Sequence, residues 1–153
     1  MILLFQKIVI IVLSKMELLF VCRANIGRSQ MAKAFYNQYS QNGQAESAGT
    51  EVHEKEGERI INYPKASPVW EVMDQEWIDV RNYTRRQLTP EMVKEANIIV
   101  VILNKMQCPV YLLESTKAIY WDVEDPMKAD YETHVRVKDQ IKGLVQKLIA
   151  KER

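Results

Sequence analysis

Hydrophobic residues follow two different spacings along the chain after residue 15. Continuous apolar runs at 18–21 and 98–103, the second rich in β-branched residues, predict strands that are buried on both faces. Elsewhere apolar residues recur every three or four positions, which predicts amphipathic helices. The segments with this helical spacing are 29–39, 66–76 and 131–151. A further helix begins at Thr89-Pro90, because Thr is a good N-cap and Pro suits the first helical position.

The alternation of strands and helices predicts an α/β fold. Two shorter runs, 44–48 and 117–121, predict additional strands. Parallel strands joined by right-handed crossovers carry helices on both faces of their sheet. The charged stretch 51–65 has neither spacing and predicts an irregular, solvated surface segment. A length of 153 residues without repeats or linkers fits one domain.

The first 15 residues form a separate apolar segment. Residues 2–13 are apolar except for Gln6 and Lys7, but the run is shorter than the ~20 residues of an ordinary transmembrane helix. A secretory signal would have a basic start and a small-residue cleavage site, and the segment has neither. We interpret 1–15 as an extension, from an upstream start, to a domain spanning 16–153. A weak membrane anchor and an added edge strand are the two other interpretations.

Composition and charge exclude several classes of protein. The chain has 21 basic and 20 acidic residues, so it has no electrostatic signature of binding to nucleic acid or acidic lipid. Two cysteines, Cys22 and Cys108, are too few for a disulfide scaffold, and with two histidines they do not form a zinc motif. These features favour a cytoplasmic protein without a metal site and leave room for one reactive cysteine.

The most informative chemistry lies in segment 22–30, which joins the first predicted strand to the first predicted helix. Ligands of α/β proteins bind at the carboxyl ends of such strands, and backbone N–H groups at a helix N-terminus bind anions and stabilise a thiolate. Cys22 opens the segment, and the planar guanidinium of Arg28 suits two oxygens of a tetrahedral oxyanion. The segment therefore predicts a nucleophilic site for a phosphate-like dianion. The other interpretation of Cys22 is an inert thiol of the core.

The spacing Cys22-x5-Arg28-Ser29 near the start of the domain resembles the low-molecular-weight protein tyrosine phosphatase superfamily. This superfamily includes arsenate reductases that work with thioredoxin or small thiols. Further stretches that resemble it, in the same order along the chain, are Ser47-Ala48-Gly49-Thr50, Glu71-Val72-Met73, Ile78-Asp79, Leu88-Thr89-Pro90-Glu91-Met92-Val93 and Asp125-Pro126. The resemblance implies a single α/β domain with a four-stranded parallel sheet, helices on both faces, and no metal or organic cofactor.

The resemblance also implies roles for particular residues. Cys22 would be the nucleophile that forms a cysteinyl-phosphate or cysteinyl-arsenate, Arg28 would stabilise the transition state, and Asp125 would be the general acid and base. The oxyanion-binding backbone would run through Arg23, Ala24, Asn25, Ile26, Gly27 and Arg28. The side chains that would support this loop are those of Asn25, Ser29 and Ser47. Without the resemblance, Asp125 would be interpreted as a turn residue and Asp122 as a surface carboxylate.

Five positions depart from the family pattern. Ala24 stands where the loop commonly has Gly, so its side chain would strain the loop if the backbone there were left-handed. Gly27 replaces a second cysteine that many members carry, and Tyr83 replaces a histidine of the supporting contacts. Met127-Lys128 follow the Asp-Pro pair in place of the tyrosines usual in phosphatases, which weakens the expectation of phosphotyrosine specificity.

Three functions remain open at this point. The first is a phosphatase acting on phosphotyrosine or small aryl phosphates. The second is an arsenate reductase, because 28–32 and 121–126 resemble that branch and Cys108 matches its resolving thiol. Asn104 replaces another cysteine of the reductase relay, so either Cys108 or an external thiol such as thioredoxin would resolve the intermediate. The other interpretation of Cys108 is an inert buried thiol, and the third function is a non-catalytic oxyanion-binding domain.

Overall fold

Four parallel strands form the centre of the fold. The computed structural model describes residues 16–41 and 43–152, so the predicted extension 1–15 lies outside the described residues. The strands are β1 (Leu18–Cys22), β2 (Ala45–Gly49), β3 (Ile98–Val101) and β4 (Ala118–Tyr120). They are all parallel and lie in the order β2-β1-β3-β4. This sheet confirms the fold that the alternation of strands and helices predicts.

Helices cover both faces of the sheet. The described α-helices are α1 (Arg28–Tyr39), α2 (Ser67–Asp74), α3 (Pro90–Glu95), α4 (Val110–Leu113) and α5 (Tyr131–Lys151). Alternate residues of β1 point to opposite faces, so Phe20 packs with α1, α2 and α5, whereas Val21 packs with α3 and α4. Within the described part of the chain, no helix is long and apolar enough to cross a membrane.

The structure refines the predicted elements at a few places. Strand β3 ends at Val101, although Ile102 N–H still donates to Val21 O at 2.7 Å, so the apolar run 98–103 outlasts the regular ladder. The short helix α4 follows a proline and is absent from the predictions. The stretch 51–65 is mostly exposed, as expected, and contains 3₁₀ turns at His53–Lys55 and Ile60–Asn62.

The register of the sheet determines which loops meet. Cys22 is opposite Gly49 at the ends of β1 and β2, and Val101 is opposite Tyr120 at the ends of β3 and β4. The loops that leave these four strands therefore lie at one edge of the sheet. This is the edge at which ligands bind in open α/β folds.

A buried ion-pair cluster fixes α5 to the end of α2. The Glu76 carboxylate, whose side chain is 14% exposed, accepts from Lys138 Nζ at 3.0 Å and also from Lys142 Nζ. Lys138 is buried and also contacts Asp139 at 2.9 Å. The hydrogen bond from Lys142, and the further contact with Lys138, hold the pKa of Glu76 below its ordinary value of 4.5 despite its burial.

The free energy of unfolding is expected to depend on the charge of Glu76. Because its folded pKa is lowered, the contribution is complete above pH 4.5 and is lost as the pH falls through the folded pKa. We expect Glu76→Gln to cost about 2 kcal/mol at pH 7 and to reduce the fall in stability below pH 4.5, because it removes the carboxylate that pairs with the buried Lys138 ammonium and with Lys142. Urea unfolding at pH 7 and pH 4 measures both effects. Glu71→Gln, at an exposed position of α2, is the matched control, and an equal change in it would contradict the prediction.

Candidate active site

The loop between β1 and α1 is packed against the end of β2. Cys22 O accepts from Thr50 N–H at 3.0 Å, and Arg23 O accepts from Glu51 N–H at 2.8 Å. A Cβ atom on Gly49 would lie 2.6 Å from Arg23 O and 2.8 Å from Asn25 N, so only glycine permits this approach of the two backbones. Strand β2 therefore positions the first residues of the loop.

The side chains expected to support the loop lie together. Ser29 Oγ is 3.0 Å from Cys22 Sγ, and both residues are buried. Asn25 Nδ2 donates to Ser29 Oγ at 2.8 Å and to Ser47 Oγ at 3.0 Å. The hydroxyl of Ser29 is thus positioned to donate to a thiolate on Cys22, while Asn25 orients that hydroxyl.

The left-handed residue of the loop is Asn25 rather than Ala24. Asn25 has a φ of 55°, whereas Ala24 is not among the described residues with positive φ. Asparagine adopts this conformation more readily than most residues because its short polar side chain bonds locally. The condition under which Ala24 would strain the loop is therefore not met.

Gln30 completes these contacts, although the sequence interpretation missed it. Its side chain is fully buried, and Nε2 donates to Asn25 O at 3.1 Å, to Asn25 Oδ1 at 3.2 Å and to Thr84 O at 3.0 Å. Its Oε1 accepts from Ser47 Oγ at 3.0 Å. A polar residue on the apolar face of α1, four positions before Ala34, is the sequence signal that could have identified it.

Arg85 is a second residue that the sequence interpretation missed. It is 6% exposed, and its Nε donates to Ala24 O at 3.1 Å while Nη1 contacts Glu58 Oε1 at 3.4 Å. The neighbouring Arg86 N–H donates to Asn25 Oδ1 at 2.8 Å. The loop is therefore held from the segment 84–86 as well as from β2.

Arg28 and Asp125 face each other beside the loop. Arg28 is 8% exposed, and its Nη2 is 3.5 Å from Asp125 Oδ2 while Nη1 donates to Val123 O at 3.3 Å. Asp125 is more open, and its other oxygen accepts from Met127 N–H at 3.0 Å. The carboxylate thus lies at the guanidinium from which an oxyanion would also take hydrogen bonds.

Two cavities meet at this pair. A small cavity of about 20 Å³ is lined by Cys22 with Arg28 and Asp125. A larger one of about 570 Å³ is lined by Arg28 and Asp125 again, and also by Tyr120 and Trp121. Three predicted catalytic residues therefore share one small cavity that opens beside a space of the size of small-molecule sites.

Cys108 lies apart from this group. It follows the 3₁₀ turn Lys105–Gln107, and its Sγ is 3.5 Å from Asn104 O. Burial raises the pKa of the Cys108 thiol, an effect that nearby Lys105 offsets in part. Among the described residues, Cys108 lines neither the cavity of Cys22 nor the larger one. Asp122 is exposed, as expected of a surface carboxylate, and lines the larger cavity.

Comparison with known proteins agrees with this geometry. Residues 17–152 match the family model described as low molecular weight phosphotyrosine protein phosphatase. An arsenate reductase of Staphylococcus aureus (strain Newman) is 30% identical over 137 residues, which cover 88% of this chain and 96% of that protein. A solved low molecular weight protein tyrosine phosphatase from T. tengcongensis is 28% identical, with a TM-score of 0.72 and coverage of 89% of this chain and 99% of its own.

A solved arsenate reductase in the phosphate binding state is 25% identical, with a TM-score of 0.71, and the match covers 89% of this chain and 98% of that chain. Wzb of Vibrio vulnificus, solved in complex with benzylphosphonate, has the same fold, with a TM-score of 0.77 at 21% identity and coverage of 90% and 99%. The chain belongs to the low molecular weight phosphotyrosine protein phosphatase family and is thus a cysteine-dependent enzyme of the phosphatase or arsenate reductase type.

Proposed function

We propose that the chain is a phosphatase that hydrolyses phosphotyrosine or small aryl phosphate monoesters through a cysteinyl-phosphate on Cys22. The observation that carries the proposal is the shared small cavity of Cys22, Arg28 and Asp125. Each of these groups has a defined role in ester hydrolysis, and the chemistry needs no reductant. Everything the reaction requires is therefore supplied by this chain and water.

In the first step the Cys22 thiolate attacks phosphorus, and the bond to the ester oxygen breaks. The electron pair of that bond goes to the leaving oxygen, which takes a proton from the carboxyl group of Asp125. The guanidinium of Arg28 and the backbone N–H groups of 23–28 stabilise the charge on the phosphoryl oxygens. Ser29 Oγ, 3.0 Å from Sγ, stabilises the thiolate before attack and after its release.

In the second step water replaces the thiolate. Asp125, now a carboxylate, takes a proton from the water as its oxygen bonds to phosphorus, and the electron pair of the S–P bond returns to Cys22. The free chain has Asp125 against Arg28 at 3.5 Å. A bound phosphoryl group competes for the same guanidinium, which leaves Asp125 available for the leaving oxygen.

An arsenate reductase is the second candidate, and the identity to curated arsenate reductases favours it. That reaction needs thiols after Cys22 to carry electrons to arsenate. Cys108 is the one remaining cysteine of the sequence, and Asn104 stands at the position of another. Burial raises the pKa of the Cys108 thiol, which disfavours its thiolate form, and among the described residues Cys108 lines neither cavity beside Cys22. The reductase would therefore depend on an external thiol, such as thioredoxin or a small thiol.

Two assays on one preparation of the full chain test the proposal. Steady-state turnover of 4-nitrophenyl phosphate is measured beside arsenite formation from arsenate with a thiol reductant. We expect ester hydrolysis without arsenite formation. Arsenite formation that needs the added thiol would contradict the proposal and favour the second candidate. Neither activity, with phosphate bound by the folded protein, would instead indicate a non-catalytic oxyanion-binding domain.

Replacement of Gln30 is expected to lower kcat more than it raises KM. Gln30→Met removes the partner of Asn25, Thr84 and Ser47, so the loop loses its fixed geometry without losing a group that touches substrate. Displacement of a reacting group by ~1 Å costs up to about 10²-fold in rate, and we expect about 10-fold here. Steady-state kinetics on 4-nitrophenyl phosphate measure kcat and KM separately, and Gln30→Glu should not recover the loss, because it sets a buried carboxylate oxygen against the three oxygens that accept from Nε2. An unchanged kcat would contradict the positioning role.

A further inference from the structure

One basic side chain that lines the larger cavity, that of Lys105, has no acidic partner among the described residues. Three basic side chains line it, namely Arg23, Arg28 and Lys105. Arg23 bonds to Glu51 at 3.1 Å, and Arg28 contacts Asp125 at 3.5 Å. Across residues 16–41 and 43–152, Lys105 has no carboxylate within the 4.0 Å limit of a salt bridge. Because Arg28 serves the phosphoryl group in the proposed mechanism and Arg23 pairs with Glu51, Lys105 is the cation of this wall that remains for the rest of the ester.

Lys105 is held at a defined place on the wall. It begins the 3₁₀ turn Lys105–Gln107, which Asn104 caps by accepting from Met106 N–H at 2.9 Å. Its Nζ lies 4.6 Å from the centre of the Tyr120 ring, within the range of a cation–π contact. This contact orients the ammonium group and leaves its N–H groups available to a hydrogen-bond acceptor.

The arrangement of the two cavities gives a bound ester a direction. Cys22 lines the small cavity, so the phosphoryl group lies there during attack. Arg28 and Asp125 line both cavities, and Asp125 meets the leaving oxygen in the proposed mechanism. The remainder of the leaving group then extends into the cavity of about 570 Å³, where it reaches Lys105. That volume accommodates an aromatic ring and a substituent.

We infer that Lys105 selects phosphate monoesters whose leaving group carries a second anionic group, such as a carboxylate. This inference rests on the proposed function and specifies its substrate class. An anion at the far side of the leaving group would pair with the one unpaired ammonium of the wall. Asp122 lines the same cavity, and both Asp122 and Lys105 are exposed to solvent, so the attraction of Lys105 for an anion is modest and weakens as salt is added.

Two isosteric esters test the inference on the full chain. The anionic probe is 4-(carboxymethyl)phenyl phosphate, and the neutral probe is its amide, 4-(carbamoylmethyl)phenyl phosphate. The methylene group keeps the two phenols similar as leaving groups. We expect kcat/KM of the anionic probe to exceed that of the neutral probe by about 3- to 10-fold, and the ratio to fall as salt is added. Lys105→Met should bring the ratio close to one, and Lys105→Arg should preserve most of it.

The control is Lys147→Met, which removes an exposed lysine of α5 and should keep the ratio of the unmodified chain. A ratio of one in the unmodified chain, with turnover of both probes that depends on Cys22, would overturn the inference and leave the phosphatase proposal intact. A high ratio that survives Lys105→Met would overturn the assignment to Lys105. Absence of turnover of both probes by the folded chain would contradict the proposed function, and the inference would fail with it.

Discussion

Replacing Cys22 by serine is expected to abolish phosphate ester hydrolysis while the fold remains. The serine hydroxyl is not ionised at neutral pH, so the attack on phosphorus loses its nucleophile, and we expect kcat to fall by about 10⁴-fold or more. The substitution exchanges one atom of similar size at a buried position that already contacts Ser29, so the loop should keep its shape. Steady-state turnover of 4-nitrophenyl phosphate measures the loss.

Cys108→Ser is the matched control, because Cys108 lines neither cavity beside Cys22 among the described residues. It should retain ester hydrolysis. Thermal unfolding followed by circular dichroism and the binding of inorganic phosphate establish that the Cys22→Ser chain is folded and still binds the oxyanion. Substantial turnover by this folded variant would exclude the cysteinyl-phosphate mechanism.

Replacing Asp125 by asparagine is expected to slow hydrolysis in a manner that depends on the leaving group. A general acid contributes typically 10²–10⁴-fold, and most where the departing oxygen is strongly basic. We therefore expect a loss of about 10³-fold for phenyl phosphate and of about 10-fold for 4-nitrophenyl phosphate, whose phenolate leaves without a proton. Steady-state kcat for both esters gives the two losses.

Asp122→Asn is the control, because Asp122 is an exposed carboxylate three residues before Asp125 and lines only the larger of the two cavities. It should affect both esters alike and weakly. Equal large losses for both esters in Asp125→Asn would show that Asp125 acts through its contact with Arg28 rather than as the acid.

The sequence predicts most of the fold because its strands and helices are encoded locally. The β-branched run at 98–103 predicts β3, and Thr89-Pro90 predicts the start of α3, where Thr89 Oγ1 does accept from Met92 N–H at 3.3 Å. Helix α4 is missed because its four residues make little more than one helical turn, which is too short to show a repeating apolar spacing. The strand order β2-β1-β3-β4 also exceeds local information, since it depends on which crossovers pack, and the family resemblance implied only four parallel strands with helices on both faces.

The residues of the candidate site also fall into those that the sequence identifies and those that only the structure shows. Cys22 and Arg28 are recognisable because they lie on one short segment whose ends are a strand and a helix. Gln30 and Arg85 are not, because their roles arise from contacts with residues 54 and 61 positions away, at Thr84 and Ala24. The proposed role of Lys105 could not be predicted from the sequence either, because it depends on the contact with Tyr120 and on the neighbouring cavity.

Gly49 has a consequence for how substitutions would be tolerated at this site. It lies at the end of β2, 27 positions after Cys22, and it is not expected to touch substrate. A methyl group there would still meet Arg23 O at 2.6 Å and push the loop outward. In a library of variants selected for activity, position 49 would therefore behave as part of the active site. Alanine at position 49 would be lost from the selected variants just as substitutions of Cys22 would be.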